Sequence, residues 1–121
     1  MAKYDNGGDN ADFRSTDWGK WWVLHHEPGS FKVKKLLINK DKAISRQFHN
    51  HRTETWNIIT GEGVLETGYP DLLTKMHIVA GDTFTIRKGE VHKVLNTGSE
   101  DMIAIEVQIG PITEETDIIR I

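Results

Sequence analysis

Apolar and β-branched stretches of four to eight residues alternate along the chain with clusters of Gly, Pro, Asn and Asp, a spacing that fits many short strands and no long helix. The pattern predicts strands over 18–25, 31–38, 44–50, 53–60, 63–67, 72–79, 83–86, 91–96 and 102–109, with a short last strand at 118–121. Turn-forming segments separate them, among them Glu27-Pro28-Gly29-Ser30, Asn39-Lys40-Asp41, Gly68-Tyr69-Pro70-Asp71 and Lys88-Gly89-Glu90. Within 102–109, Ile103, Ile105, Val107 and Ile109 alternate with Met102, Ala104, Glu106 and Gln108, so one face is packed and one polar. A polar row opposite an Ile/Val face ordinarily looks to solvent. Sheets of this kind give an all-β sandwich or jelly-roll barrel. Residues 1–12, with Asn6-Gly7-Gly8-Asp9-Asn10, hold too little apolar surface to offset ordering, and a mobile N-terminal segment is expected there. Residues 13–121 are then a single domain.

Composition narrows the function classes. A chain of 121 residues suffices for one domain and leaves no room for a second. Fifteen Lys and Arg against eighteen Asp and Glu give a net charge of −3, so no strong positive field draws in nucleic acid or an anionic membrane. The absence of Cys excludes disulfides, thiolate ligands and a Cys nucleophile. Apolar runs such as 21–24 and 102–105 fall far short of the ~20 residues that span a bilayer, and the polar start has no signal-peptide core. A soluble, cytoplasmic protein is expected.

The informative segment is Gln47-Phe48-His49-Asn50-His51-Arg52-Thr53-Glu54, followed much later by His92. On a strand, residues two apart share a face, so Gln47, His49 and His51 are expected to project together, with Glu54 beside them across a short turn. Imidazole, carboxylate and amide oxygen, with no sulfur, suit a borderline or hard divalent ion: Zn first, with Mn, Fe, Co or Ni as alternatives.

Gln47-x-His49-x4-Glu54-x6-Gly61 resembles the first cupin motif, with Gln in place of its first His, and Gly81-x5-Arg87-x-Gly89-x2-His92-x3-Asn96 resembles the second, with Arg87 where Pro is usual. A narrower resemblance runs from about Asp17 onward. Trp18-Gly19, Phe31-Lys32-Val33-Lys34, Ser45-x-Gln47-x-His49-x-His51-Arg52-x-Glu54-x-Trp56, Glu106-Val107-Gln108-x-Gly110 and Asp117-Ile118-Ile119-Arg120 are similar to the type II mannose-6-phosphate isomerases. In that family the same cupin is often the C-terminal domain of a bifunctional mannose-1-phosphate guanylyltransferase. The resemblance implies a cupin double-stranded β-helix, one divalent metal held by Gln47, His49, Glu54 and His92, and interconversion of mannose 6-phosphate and fructose 6-phosphate. His51 is the substitute ligand if Gln47 is not one. Thr55 stands where the family often has His, and Asp41 where Gly is usual.

Such an isomerisation needs a group that moves a proton between C1 and C2, for which Glu106, Lys34 and His51 are the candidates. A sugar phosphate needs cationic anchors, and these are Arg52 and Arg120, then Lys88 and Lys93. Arg46 falls on the opposite strand face. The four Trp residues, 18, 21, 22 and 56, read as core rather than sugar platforms, and His25, His26 and His77 as strand or surface residues. Edge strands and the N-terminal Trp cluster point to a homodimer. Two other readings share the same site: a metal cupin acting on another small sugar or acid, and a non-catalytic sugar-binding cupin.

Overall fold

A computed structural model describes residues 12–121. The expected mobile segment 1–12 lies outside the described residues except for Asp12. Eleven strands follow: β1 (Phe13–Ser15), β2 (Gly19–Glu27), β3 (Phe31–Ile38), β4 (Ala43–Phe48), β5 (Thr53–Thr60), β6 (Glu62–Tyr69), β7 (Leu72–Val79), β8 (Thr83–Ile86), β9 (Val91–Asn96), β10 (Met102–Ile109) and β11 (Ile119–Arg120), with one 3-10 turn, Glu115–Asp117, before the last. Strand β1 escapes a period-two reading because three residues are too few to carry one. No helix among the described residues is long and apolar enough to cross a membrane.

The strands form two antiparallel sheets, ordered β1-β2-β3-β10-β5-β8 and β11-β4-β9-β6-β7. Their pairing is nested: β6 pairs with β7, β5 with β8, β4 with β9 and β3 with β10. The chain is therefore one long hairpin, its tip at Pro70-Asp71 between the paired Tyr69 and Leu72, wound over both sheets as a double-stranded β-helix.

Side chains pointing into the barrel change character along its axis. On β10 the inward row is Met102, Ala104, Glu106, Gln108; on β3, read in the opposite direction, it is Ile38, Leu36, Lys34, Lys32; on β5 it is Ile58, Trp56, Glu54. The register sets these rows side by side, with Ala104 beside Leu36 and Ile58, Glu106 beside Lys34 and Trp56, and Gln108 beside Lys32 and Glu54. One end of the barrel is thus apolar and the other charged. The apolar end packs Trp21, Leu36, Ile38, Ile58, Leu65, Ile78, Val94 and Met102, each such side chain contributing about 1.5–3 kcal/mol by leaving water. Asn96 ties it shut: its amide nitrogen donates to the carbonyls of Ile38 and Glu100, and its oxygen accepts the Gly98 N–H, each at 2.9 Å.

This arrangement reverses the expectation for β10. The row Met102, Ala104, Glu106, Gln108 is buried, while Ile103, Ile105 and Val107 lie half-buried on the outer face and Ile109 is exposed. The polar half of the row is tolerated inside because Gln108 donates to Glu106 and the row faces the polar side chains of Lys34 and Lys32 on the neighbouring strand, and a buried polar group needs a partner.

Candidate metal centre

At the charged end, β4 stops at Phe48 and His49 is the next residue. It enters the barrel, as do Glu54 from the start of β5 and His92 from the start of β9, and all three are buried. His49 Nε2 lies 2.9 Å from Glu54 Oε2, and His92 Nε2 lies 3.5 Å from Glu54 Oε1. One ligand-type atom from each of the three falls within 4.8 Å of the others. Gln47, also buried, sits opposite His92 in the β4–β9 register, and its amide nitrogen donates to the Ser45 carbonyl at 3.1 Å.

His51 does not join them. The carboxylate of Asp117, delivered by the 3-10 turn, accepts the N–H groups of Asn50 (3.2 Å) and His51 (3.1 Å) and bends the chain there. His51 consequently faces outward and is exposed, and Arg52 takes the inward place. The Asp117 backbone carbonyl lies 3.1 Å from His49 Nδ1. An Nδ1–H directed at that carbonyl leaves Nε2 as the lone-pair nitrogen, facing the Glu54 carboxylate with no hydrogen-bond geometry between them. Two electron-rich atoms at this distance repel unless a cation lies against both. Donors about 2.1 Å from a divalent ion stand roughly 3.0–3.4 Å apart, and the observed spacings bracket that range. The donor set therefore fits a divalent ion.

Glu54 is built to stay ionised. Burial alone would raise its pKa, but the imidazoles of His49 and His92 and the Arg52 guanidinium against it hold it well below the ordinary carboxylate value. Arg52 Nε and an Nη reach Glu54 Oε2 at 3.1 and 3.0 Å, and the Trp56 indole N–H donates to Oε1 at 3.1 Å. Burial lowers the His92 pKa against the pull of Glu54, which favours the neutral imidazole that a metal requires.

Glu54, His92, Arg52 and Trp56 line a pocket together with Gln47, Lys34, Glu106, Gln108, Glu115, Trp18, Trp21 and Arg120. It runs into a surface groove that shares Thr16, Trp18 and Arg120. Of the proposed proton movers, Glu106 and Lys34 are in the pocket and His51 is not. Burial first, and the Glu54 charge second, push the Glu106 carboxyl up to about 8 against the opposing pull of Lys34. The Lys34 ammonium stands 3.9 Å from the centre of the Trp21 ring and 2.6 Å from Glu115 Oε1.

Among the proposed anchors, only Arg120 is exposed at the mouth. Arg52 is buried against Glu54 and the Glu114 carbonyl, so its fork is already engaged. Lys88 lies on an exposed turn outside the pocket, and Lys93, next to inward-facing His92, must point to the outer face of its sheet. Trp56, assigned to the core, is core and also a Glu54 partner. Not anticipated were Asp117, Gln108 and Glu115. For Asp117 and Glu115 no local pattern signals the role, because their partners lie about 65 to 80 positions away in sequence.

A sequence profile of the family described as "Mannose-6-phosphate isomerase C-terminal" matches residues 9–121. The chain belongs to this family. A relative from Klebsiella pneumoniae, mannose-1-phosphate guanylyltransferase, is 36% identical over 105 residues, which are 86% of this chain and 21% of that protein. The chain thus spans about a fifth of the length of the curated relatives it matches. Among solved structures, the capsular polysaccharide assembling protein CapF of Staphylococcus aureus superposes with a TM-score of 0.78 at 16% identity, over 90% of this chain and 33% of that one. The Cnp3 cupin domain of Schizosaccharomyces pombe gives 0.70 at 15%, over 75% and 64%. These similarities establish the cupin fold. In this mannose-6-phosphate isomerase C-terminal domain, Thr55 is on the outer face of β5, its hydroxyl 3.4 Å from that of Thr85, so its departure from the usual His does not touch the pocket.

Proposed function

We propose that this protein is a metal-dependent isomerase that interconverts mannose 6-phosphate and fructose 6-phosphate. The observation that carries the reading is the buried His49, Glu54 and His92 cluster, two of whose members, Glu54 and His92, line one pocket with Glu106 and Lys34, in a chain of this family. A divalent ion held by the three, with Gln47 adjacent, supplies Lewis-acid polarisation of the sugar oxygens when bound. Glu106, the buried carboxyl beside the cluster, moves the proton between C1 and C2. Lys34, fixed by Trp21 and Glu115, places positive charge beside it as negative charge develops on oxygen. Arg120 at the mouth meets the phosphate. Trp56 and Arg52 act through Glu54, holding its carboxylate in position.

The test is a coupled assay of mannose 6-phosphate conversion, run on metal-stripped protein and again after adding back Zn, Mn, Co, Fe or Ni. Turnover is expected with metal only, and Glu106→Gln is expected to lower kcat about 100-fold or more with metal content unchanged. A folded, metal-loaded wild type that binds mannose 6-phosphate without turning it over is instead a sugar-binding cupin.

A further inference from the structure

Gln108 and Glu115 enter the pocket from different parts of the chain, one as the last inward residue of β10 and the other from the 3-10 turn. Each is gripped at one end only. The Gln108 amide nitrogen donates to Glu106 Oε1 at 2.6 Å, which fixes the amide and turns its oxygen away. Glu115 spends Oε1 on the Lys34 ammonium. The remaining atoms, Gln108 Oε1 and Glu115 Oε2, are buried and meet no donor among the described residues, and Gln108 is only 1% exposed. A buried acceptor without a donor bears the full desolvation cost of that atom, so its presence in a native pocket calls for an explanation.

Two acceptors ask for donors. A carboxylate brings only acceptors at neutral pH, and it and a phosphate alike carry negative charge that the Glu115 oxygen would repel, whereas a neutral hydroxyl donates to either atom. Trp18, only partly buried, lines the same pocket and offers an apolar surface to the C–H face of a ring. We propose that Gln108 and Glu115 read ligand hydroxyl groups and thereby select a polyhydroxy ligand over a carboxylic acid of similar size. This rests on the sugar-phosphate reading above and adds the residues that decide it, with the phosphate left to the mouth.

The test is calorimetric titration of the metal-loaded full chain with mannose 6-phosphate, mannitol, inorganic phosphate and malonate, for wild type, Gln108→Leu and Glu115→Gln. Both variants are expected to bind mannose 6-phosphate at least tenfold more weakly than wild type while inorganic phosphate changes less than twofold. Glu115→Gln is expected to gain affinity for malonate. It carries the test alone if Gln108→Leu fails to fold. Variants that bind mannose 6-phosphate as wild type does overturn the proposal. A wild type that binds mannitol but not mannose 6-phosphate removes the isomerase reading and supports this one, provided the variants lose mannitol. A wild type that binds malonate and neither polyol, or nothing in the panel, overturns it.

Discussion

The bond from His49 Nδ1 to the Asp117 carbonyl determines which ring nitrogen faces Glu54, and with it the chemistry of the cluster. His49, Glu54 and His92 were legible in the sequence because their spacing is that of two known motifs. His51 was misplaced because strand parity fails where Asp117 bends the chain, and nothing near His51 announces a partner 66 positions away. Glu106 carries a pH prediction for the metal-stripped protein. Its carboxyl has an unperturbed value of 4.5 and a folded value of about 8, so between these the folded state holds a proton that the unfolded state has released. Stability therefore falls as pH rises through that window, by about 1.4 kcal/mol per pH unit at most. His92, with its folded pKa below 6.5, acts oppositely up to 6.5. Denaturant unfolding between pH 6.5 and 8 should show a decline in wild type and a flatter profile in Glu106→Gln.

Periodicity located the strands well because each turn is punctuated by Gly, Pro, Asn or Asp. It could not say which face of β10 is buried, since alternation fixes a period and not a direction. That was decided by Lys32, Lys34 and Glu54 on neighbouring strands, which surround the polar row with polar side chains while Gln108 bonds Glu106 within it. Two turns yield predictions. Asp41 adopts φ 64°, third in a turn closed by the Lys42 N–H to Asn39 carbonyl bond, a position that favours Gly. Asp41→Gly should relieve that strain and raise unfolding stability by up to ~1 kcal/mol, net of the added chain entropy. Gly110 ends β10 against the bend, where an added Cβ would sit 2.2 Å from the His51 carbonyl oxygen. Gly110→Ala should cost about 1–3 kcal/mol in denaturant unfolding and weaken metal binding, because Arg52 and the bend must move.

For the whole molecule, the nested hairpin makes a barrel with an apolar end that holds it together and a charged end that carries the site. The segment after β10 closes the charged end: Lys32 reaches the Thr113 carbonyl, Arg52 the Glu114 carbonyl and Lys34 the Glu115 carboxylate, while His49 and its bend are tied to Asp117. The fold was legible from pattern and motif, but this closure was not, because it consists of single long-range bonds without periodicity. Ligation by residues drawn from β5, β9 and the end of β4 also couples metal binding to the folded barrel, so metal should raise the melting temperature by mass action. The chemistry of the charged end turns on whether His49, Glu54 and His92 hold a metal. Elemental analysis of exhaustively dialysed, Zn-reconstituted protein tests it most directly, with His49→Ala and His92→Ala treated in parallel. One ion per wild-type chain and a large loss in both variants are expected. Metal content that is the same in all three proteins, or absent from a folded wild type, would contradict this.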